Sequence, residues 1–193
     1  SGYNVGLGDC THPKLSTARS DDLLTCADLP QTSPFYQYYI SELVPQVENL
    51  EPDVIGLSVN FLSQAFCSFA LIGVLKKYFP GVKLVFGGGL ITSWKRNSNW
   101  HNPFAGLVDA CVDGPGETWF LDQINTEQKD GFATPDYDDL ASKNYLSPGF
   151  VLPYNTTCGC YWRKCNFCPE KAEENPFQQI AHLKVLNDVA ELT

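Results

Sequence analysis

The chain has 193 residues and a mass of 21.4 kDa, with 13 Lys and Arg against 22 Asp and Glu, a formal net charge of −9. That length holds one compact domain, or one domain with a piece of a second, and 44% hydrophobic residues with 13% aromatics mark a chain that buries a core. The negative balance gives no long-range attraction to phosphate backbones or anionic lipid, which disfavours nucleic acid as a partner; basic clusters such as Lys95-Arg96 and Arg163-Lys164 are no more than pairs.

The longest apolar stretch, Phe61 to Leu75, is broken by Ser63, Gln64 and Ser68 and is too short and too polar to span a bilayer. With no signal peptide ahead of it, the expected compartment is the cytoplasm, with no membrane partner. Methionine is absent and the chain opens with Ser-Gly in the manner of a cloning scar, so an excised piece of a longer protein is expected.

In chain order, Tyr3 to Leu7 reads as a strand, Asp21 to Cys26 as one or two helical turns, and Pro34 to Val47 as an aromatic-rich helix with Pro45 near its end. From Pro52 onward short apolar runs alternate with longer helical ones, the pattern of a parallel sheet with crossover helices. Residues 53–59 are apolar on both faces, as a central parallel strand should be. A helix is expected from Ser63 to Phe79, with Lys76-Lys77 suited to the negative end of its dipole and Pro80-Gly81 stopping it. Strands follow at 82–86 and 107–112, then a short helix over 118–125. Residues 1–127 thus form one domain whose first 50 residues are irregular. The polar stretch 128–147 reads as a linker, and residues 148–193 open a second unit, with a strand over 150–154 and a helix from Phe177 to Leu192. That last helix spaces Ile180, Leu183, Leu186, Val189 and Ala190 for one buried face.

Of eight cysteines, Cys10, Cys26, Cys67 and Cys111 are scattered, whereas Cys158, Cys160, Cys165 and Cys168 crowd together. Crowding of this kind in an intracellular chain points to metal rather than disulfides. Cys160, Cys165 and Cys168 follow C-x4-C-x2-C: the two-residue gap lets a tight turn aim two sulfurs at one centre, and the four-residue gap closes the site from the other side. Thiolates at this density select zinc or an iron–sulfur cluster, and spacing alone leaves both open, including a structural zinc site that also uses Cys158. Against zinc stands the placement of every ligand in one loop after a strand, flanked by Tyr161, Trp162 and Phe167.

Gly-Cys-Tyr-Trp-Arg-Lys-Cys-Asn-Phe-Cys-Pro-Glu, from Gly159 to Glu170, resembles the cluster loop of radical S-adenosylmethionine proteins in the variant that follows a cobalamin-binding-like domain. The resemblance implies a [4Fe-4S] cluster on Cys160, Cys165 and Cys168, with Cys158 a spectator and Phe167 near the adenine. It further implies an open iron that chelates S-adenosylmethionine, reductive cleavage to a 5′-deoxyadenosyl radical, and an electron donor such as flavodoxin or ferredoxin. The substrate, a small molecule or a peptide, is not readable from these residues. A radical barrel is a larger β/α unit than the residues after Cys168 supply, so only its start is expected here, and this stretch alone should be inactive.

Three strand ends are rich in glycine or small polar residues: Ser58-Val59-Asn60, Gly87-Gly88-Gly89 with Thr92, and Gly114-Pro115-Gly116-Glu117. In an open parallel sheet they meet on the edge where ligands bind, and missing side chains let backbone amides approach a ligand. No G-x-G-x-x-G dinucleotide fingerprint is present. This stretch is similar to the cobalamin-binding domain that precedes radical barrels. By that resemblance the fold is α/β, a Rossmann-like doubly wound, mostly parallel sheet, and Ser58, Asn60, Gly87, Gly88, Gly89, Thr92, Gly114 and Gly116 line the cobalamin tail and corrin edge. The D-x-H-x-x-G cobalt-ligand motif is missing, so any cobalamin binds without a histidine from this chain, and methyl transfer is conditional on it. The competing expectation is a non-catalytic cobalamin- or nucleotide-binding module with a four-cysteine zinc loop.

His12, His101 and His182 lie in no metal-spaced motif and read as surface or capping residues. Trp94, Trp100 and Phe104 read as core or lid packing. Glu170, Lys171, Glu173 and Glu174 read as a solvated helix start.

Overall fold

The computed structural model describes residues 2–6, 8–124, 133–138, 149, 151–166, 168–173 and 175–192. The expected linker is described only at 133–138, and Phe167 lies outside the described residues. A small antiparallel pair opens the chain, β1 (Asn4–Val5) with β2 (Cys10–Thr11), shorter than the strand expected over Tyr3 to Leu7. Helix α1 (Ser20–Asp28) follows, its Asp21 and Asp22 placed where the helix dipole favours negative charge. The aromatic helix expected from Pro34 runs in three pieces: α2 (Tyr36–Tyr38), a π-helical turn (Tyr39–Leu43) and α3 (Val44–Leu50). Pro45, which has no N–H to donate, stands in the first turn of α3, and the wider π turn directly precedes it.

The α/β core is a three-stranded parallel sheet in the order β3 (Val54–Ser58), β4 (Lys83–Gly87), β5 (Ala110–Cys111). Val54 to Ser58 pair in register with Lys83 to Gly87, and Val85 and Phe86 with Ala110 and Cys111. The sheet is compatible with a Rossmann-like core. Among the described residues β4, not β3, is the central strand. The third strand is also shorter than expected, because Asp109 bonds Leu84 through its own carboxylate and N–H, at 2.8 and 2.9 Å.

One face of the sheet is built by Ile55, Leu57, Leu84 and Phe86 against α4 (Ala65–Tyr78). Phe69 of α4 meets Phe86 edge-on at 5.3 Å and Phe104 at 4.6 Å between ring centroids. Phe69, Phe86, Leu84 and Ile72 are fully buried, each side chain contributing about 1.5–3 kcal/mol by leaving water. On the other face Phe120 of α6 (Gly116–Gln123) lies over Gly56. Trp94 and Trp100 pack against the core cluster that contains Phe104, as expected. The stop of α4 also falls as expected, with Phe79 donating back to Leu75 at 2.8 Å before Pro80-Gly81.

A helix that the sequence did not announce, α5 (Gly89–Lys95), starts directly on the glycine run after β4. Beyond α6 the described chain continues through β6 (Thr157–Cys158), α7 (Pro169–Glu173), β7 (Gln178–Gln179) and α8 (His182–Leu192). Described residues 151–155 form no strand; the strand comes later, at β6. The stretch expected to start a helix at Phe177 instead pairs as β7, and the face expected to be buried on α8 is turned outward. Leu183 and Leu186 are 65% and 64% exposed, while Asp188 is 3% exposed.

The carboxylate is the reason. Asp188 accepts from Lys184, one turn earlier on α8, at 2.9 Å and from Thr134 at 2.7 Å and Tyr154 at 2.5 Å, so two donors from outside the helix anchor its polar face. Those bonds, that of Lys184 first, hold the Asp188 carboxyl down from 3.8 to about 2. The folded value is depressed, so this contribution to stability is present above pH 3.8 and is lost as the pH falls toward about 2. Acid unfolding followed by circular dichroism should therefore be flatter across that interval in Asp188→Asn than in wild type; identical profiles would remove Asp188 from the account.

The approach of α1 to α4 allows a second check. A Cβ on Gly73 would lie 2.0 Å from the Ala27 carbonyl oxygen. Alanine gains about 0.5–1 kcal/mol of helix propensity there, but overpacking costs about 1–3 kcal/mol. Gly73→Ala should lower the urea midpoint; an unchanged or raised midpoint would mean that α1 yields freely.

Candidate functional site

At the carboxyl ends of the strands the chain ties itself together. Val59, just after β3, donates to the Gly87 carbonyl at 2.8 Å, and Leu90 donates to Val59 O at 3.1 Å. Gly88 between them has φ +97°, and a Cβ there would come within 2.6 Å of both Val59 N and Val59 O. Only glycine meets both demands. Asn60 Oδ1 accepts from Gly89 N at 2.9 Å. The buried Thr92 hydroxyl donates to Gly88 O at 2.9 Å and accepts from Gly114 N at 3.0 Å, linking the second glycine segment to the third.

The structure thus gathers Asn60, Gly87, Gly88, Gly89, Thr92 and Gly114 on one edge, with Ser58 beside Gly87 in the ladder. Gly116 opens α6, and nothing would meet a Cβ on it. The reason for the glycines differs in part from the expectation: Gly88 makes room for Val59 of the chain itself. Beside the edge Lys95 meets Asp113 at 2.6 Å and Arg96 lies 3.7 Å from it. The Lys95 bond, the largest influence, holds the Asp113 carboxyl below its usual value.

The cysteine loop is closed by β6 and β7, with Thr157 opposite Gln179 and Cys158 opposite Gln178. Gly159 turns the chain out of β6 with φ +70°, where a Cβ would strike the Pro176 carbonyl at 2.3 Å. Arg163, itself at φ 49°, donates through Nη2 to the carbonyl of Asn175. Tyr161 stands edge-on to Phe177 at 5.8 Å, and the Lys164 ammonium lies 5.0 Å over the Trp162 ring. These contacts fold the loop around a small cavity of about 10 Å³ lined by Cys160, Arg163, Cys165, Cys168, Glu170 and Lys171. Cys158 is exposed and does not line it.

The three half-buried thiols border one space without converging on a point: among the described residues no three His, Cys, Asp or Glu side chains are gathered closely enough to hold a metal ion. The donor chemistry fits a soft metal or an iron–sulfur cluster. The free volume is that of about one water, so the loop has to open to take either.

The segment after the last cysteine is not a merely solvated helix start. Helix α7 packs against α5, and a Cβ on Gly89 would lie 2.5 Å from Glu173 Oε1. Glu173 is in turn held by Asn175 Nδ2 at 3.0 Å. The sheet edge and the cysteine loop therefore adjoin, a neighbourhood that no spacing in the sequence announced. Of the histidines, His12 caps a turn by accepting from the N–H groups of Lys14 and Leu15, both at 3.1 Å. A wider cleft of about 570 Å³, lined in part by Tyr3, His12, Thr25 and Pro34, shares no residue with either candidate site.

No protein-family model matches the chain, and no curated protein or solved structure matches it. Among the described residues no helix is long and apolar enough to cross a membrane.

The link through Thr92 is open to direct measurement. Thr92→Val keeps the shape but leaves Gly114 N–H without its acceptor, at a cost of about 1–3 kcal/mol. The urea midpoint should fall accordingly, and a midpoint equal to wild type would show that the bond contributes nothing.

Proposed function

We propose that this chain carries the cluster loop and the cobalamin-binding-type α/β unit of a radical S-adenosylmethionine enzyme. One observation carries the reading furthest: Cys160, Cys165 and Cys168, the three members of C-x4-C-x2-C, border a common cavity from which Cys158 is excluded. A structural zinc knuckle needs four protein ligands, whereas a catalytic cluster needs three and an open position. When bound, a [4Fe-4S] cluster supplies the single electron that cleaves S-adenosylmethionine to a 5′-deoxyadenosyl radical, with flavodoxin or ferredoxin as the class of donor.

The chain's own part is binding and enclosure. Gly159 and the β6–β7 pair set the loop's entry and exit. Arg163 ties the loop's middle to the segment beyond α7, and Tyr161 edge-on to Phe177 adds a second tie between the same two segments.

The sheet edge as it stands does not fit a corrinoid. The polar groups of Asn60 and Thr92 that would meet it are engaged within the chain, and Glu173 lies against Gly89.

Anaerobic reconstitution of this chain with iron and sulfide should load about four irons, the complement of a cubane cluster. Loading should be lost in Cys160→Ala, Cys165→Ala and Cys168→Ala and kept in Cys158→Ala. One tightly held zinc that requires all four cysteines would replace this reading with a structural knuckle beside a ligand-binding α/β module. Bound corrinoid after incubation with hydroxocobalamin would add methyl transfer.

A further inference from the structure

The fold leaves a wide cleft that neither candidate site uses, about 570 Å³ between the turn after β2, the end of α1 and the chain at 31–34. That volume lies in the ordinary range of small-molecule sites. Tyr3 turns its hydroxyl inward to Cys26 Sγ at 3.3 Å and sets its ring edge-on to His12, with centroids 4.7 Å apart, so what it offers the cleft is ring surface. Leu15 and Pro34 add apolar wall, and Leu29, which also lines the space, is left 45% exposed. The polar groups are few and directional. His12 Nδ1 already accepts two N–H groups, so the neutral ring carries its proton on Nε2, a donor that no described residue takes up. Gly2, another lining residue, would bring a Cβ within 2.7 Å of that nitrogen, which places it at the cleft wall. On the α1 side the Thr25 hydroxyl donates to Asp21 O at 2.8 Å, which leaves Oγ1 as an acceptor. Gln31 is exposed, and its amide bonds to no described residue. No Asp, Glu, Lys or Arg lines the cleft, so a charged ligand would lose water there without finding a counter-ion, a costly exchange.

We propose that this cleft binds a flat, uncharged ring compound whose edge carries a hydrogen-bond acceptor beside a donor, the chemistry of an aromatic carboxamide. The ring lies against Tyr3 and His12 between the apolar walls. The carboxamide oxygen accepts the Nε2 proton of His12, and its NH2 group donates to Thr25 Oγ1 or to the Gln31 side-chain oxygen. No residue of the cysteine loop or of the sheet edge takes part, so this site stands or falls independently of the cluster reading.

The test is an NMR titration of the isotope-labelled chain at about pH 8, where imidazole is neutral, with three probes built on the same ring: benzamide, benzoate and benzamidine. In turn they present an uncharged acceptor beside a donor, an anionic acceptor and a cationic donor. Benzamide should move the resonances of the His12 ring and the Gln31 side-chain amide with a dissociation constant on the order of 1 mM, as expected of a fragment, and leave those of the cysteine loop in place. Benzoate and benzamidine should each bind about tenfold more weakly. The double variant Thr25→Val, Gln31→Ala, at two exposed positions, should weaken benzamide by about tenfold as read at His12, its spectrum elsewhere establishing that it folds. The proposal is overturned if benzamide shifts nothing up to its solubility limit, if the shifts fall outside the cleft, or if either charged probe binds as well. Undiminished binding in the folded double variant would overturn it too. Where that variant fails to fold, the three probes on the wild-type chain decide alone.

Discussion

At Gly88 the chain leaves the central strand with a positive φ and passes so close to the Val59 backbone that no side chain has room. The two bonds that flank this contact, Val59 to Gly87 and Leu90 to Val59, fasten the end of β3 to the start of α5. The edge residues take their places from that crossing: Asn60 reaches Gly89, and Thr92, one turn into α5, reaches forward to Gly114. Because the crossing also sets the direction of α5, it sets the surface on which α7 rests.

The core below is what makes such a crossing affordable. Phe69 stands between Phe86 and Phe104, and the fully buried Leu84, Ile72 and Ile91 surround them. Interior packing of this density resists displacement, so the polar bonds at the edge are held in register by apolar contacts they do not themselves make. The C-terminal segment is organised differently. Its anchor is a buried carboxylate, Asp188, with three donors, and large apolar side chains of α8 remain outside. One region is thus held mainly by burial and the other mainly by directed bonds.

The adjacency of α7 and α5 joins features that stand far apart in sequence. Glu173 touches the glycine edge while Glu170, one turn before it on the same short helix, lines the cysteine cavity. A displacement of α7 would therefore be felt at both places.

Local pattern determined much of this protein by itself. The apolar runs of β3 and β4, the uninterrupted α4 with its Lys76-Lys77 and Pro80-Gly81 ending, and the C-x4-C-x2-C spacing were legible because each depends on residues within a few positions of one another. Tertiary structure alone decided the rest. Which strand is central depends on partners dozens of residues away, and among the described residues β3, apolar on both sides, lies at the edge. The apolar stripe of α8 is a property of the helix, but whether it is buried depends on what Thr134 and Tyr154 offer Asp188. The start of α5 was hidden because a glycine run reads as a turn until the Val59 backbone is set against it. That Glu170 lines the space beside the cysteines, with one carboxylate oxygen buried, was decided by the fold around the loop between β6 and β7, a long-range pairing that no window of sequence contains.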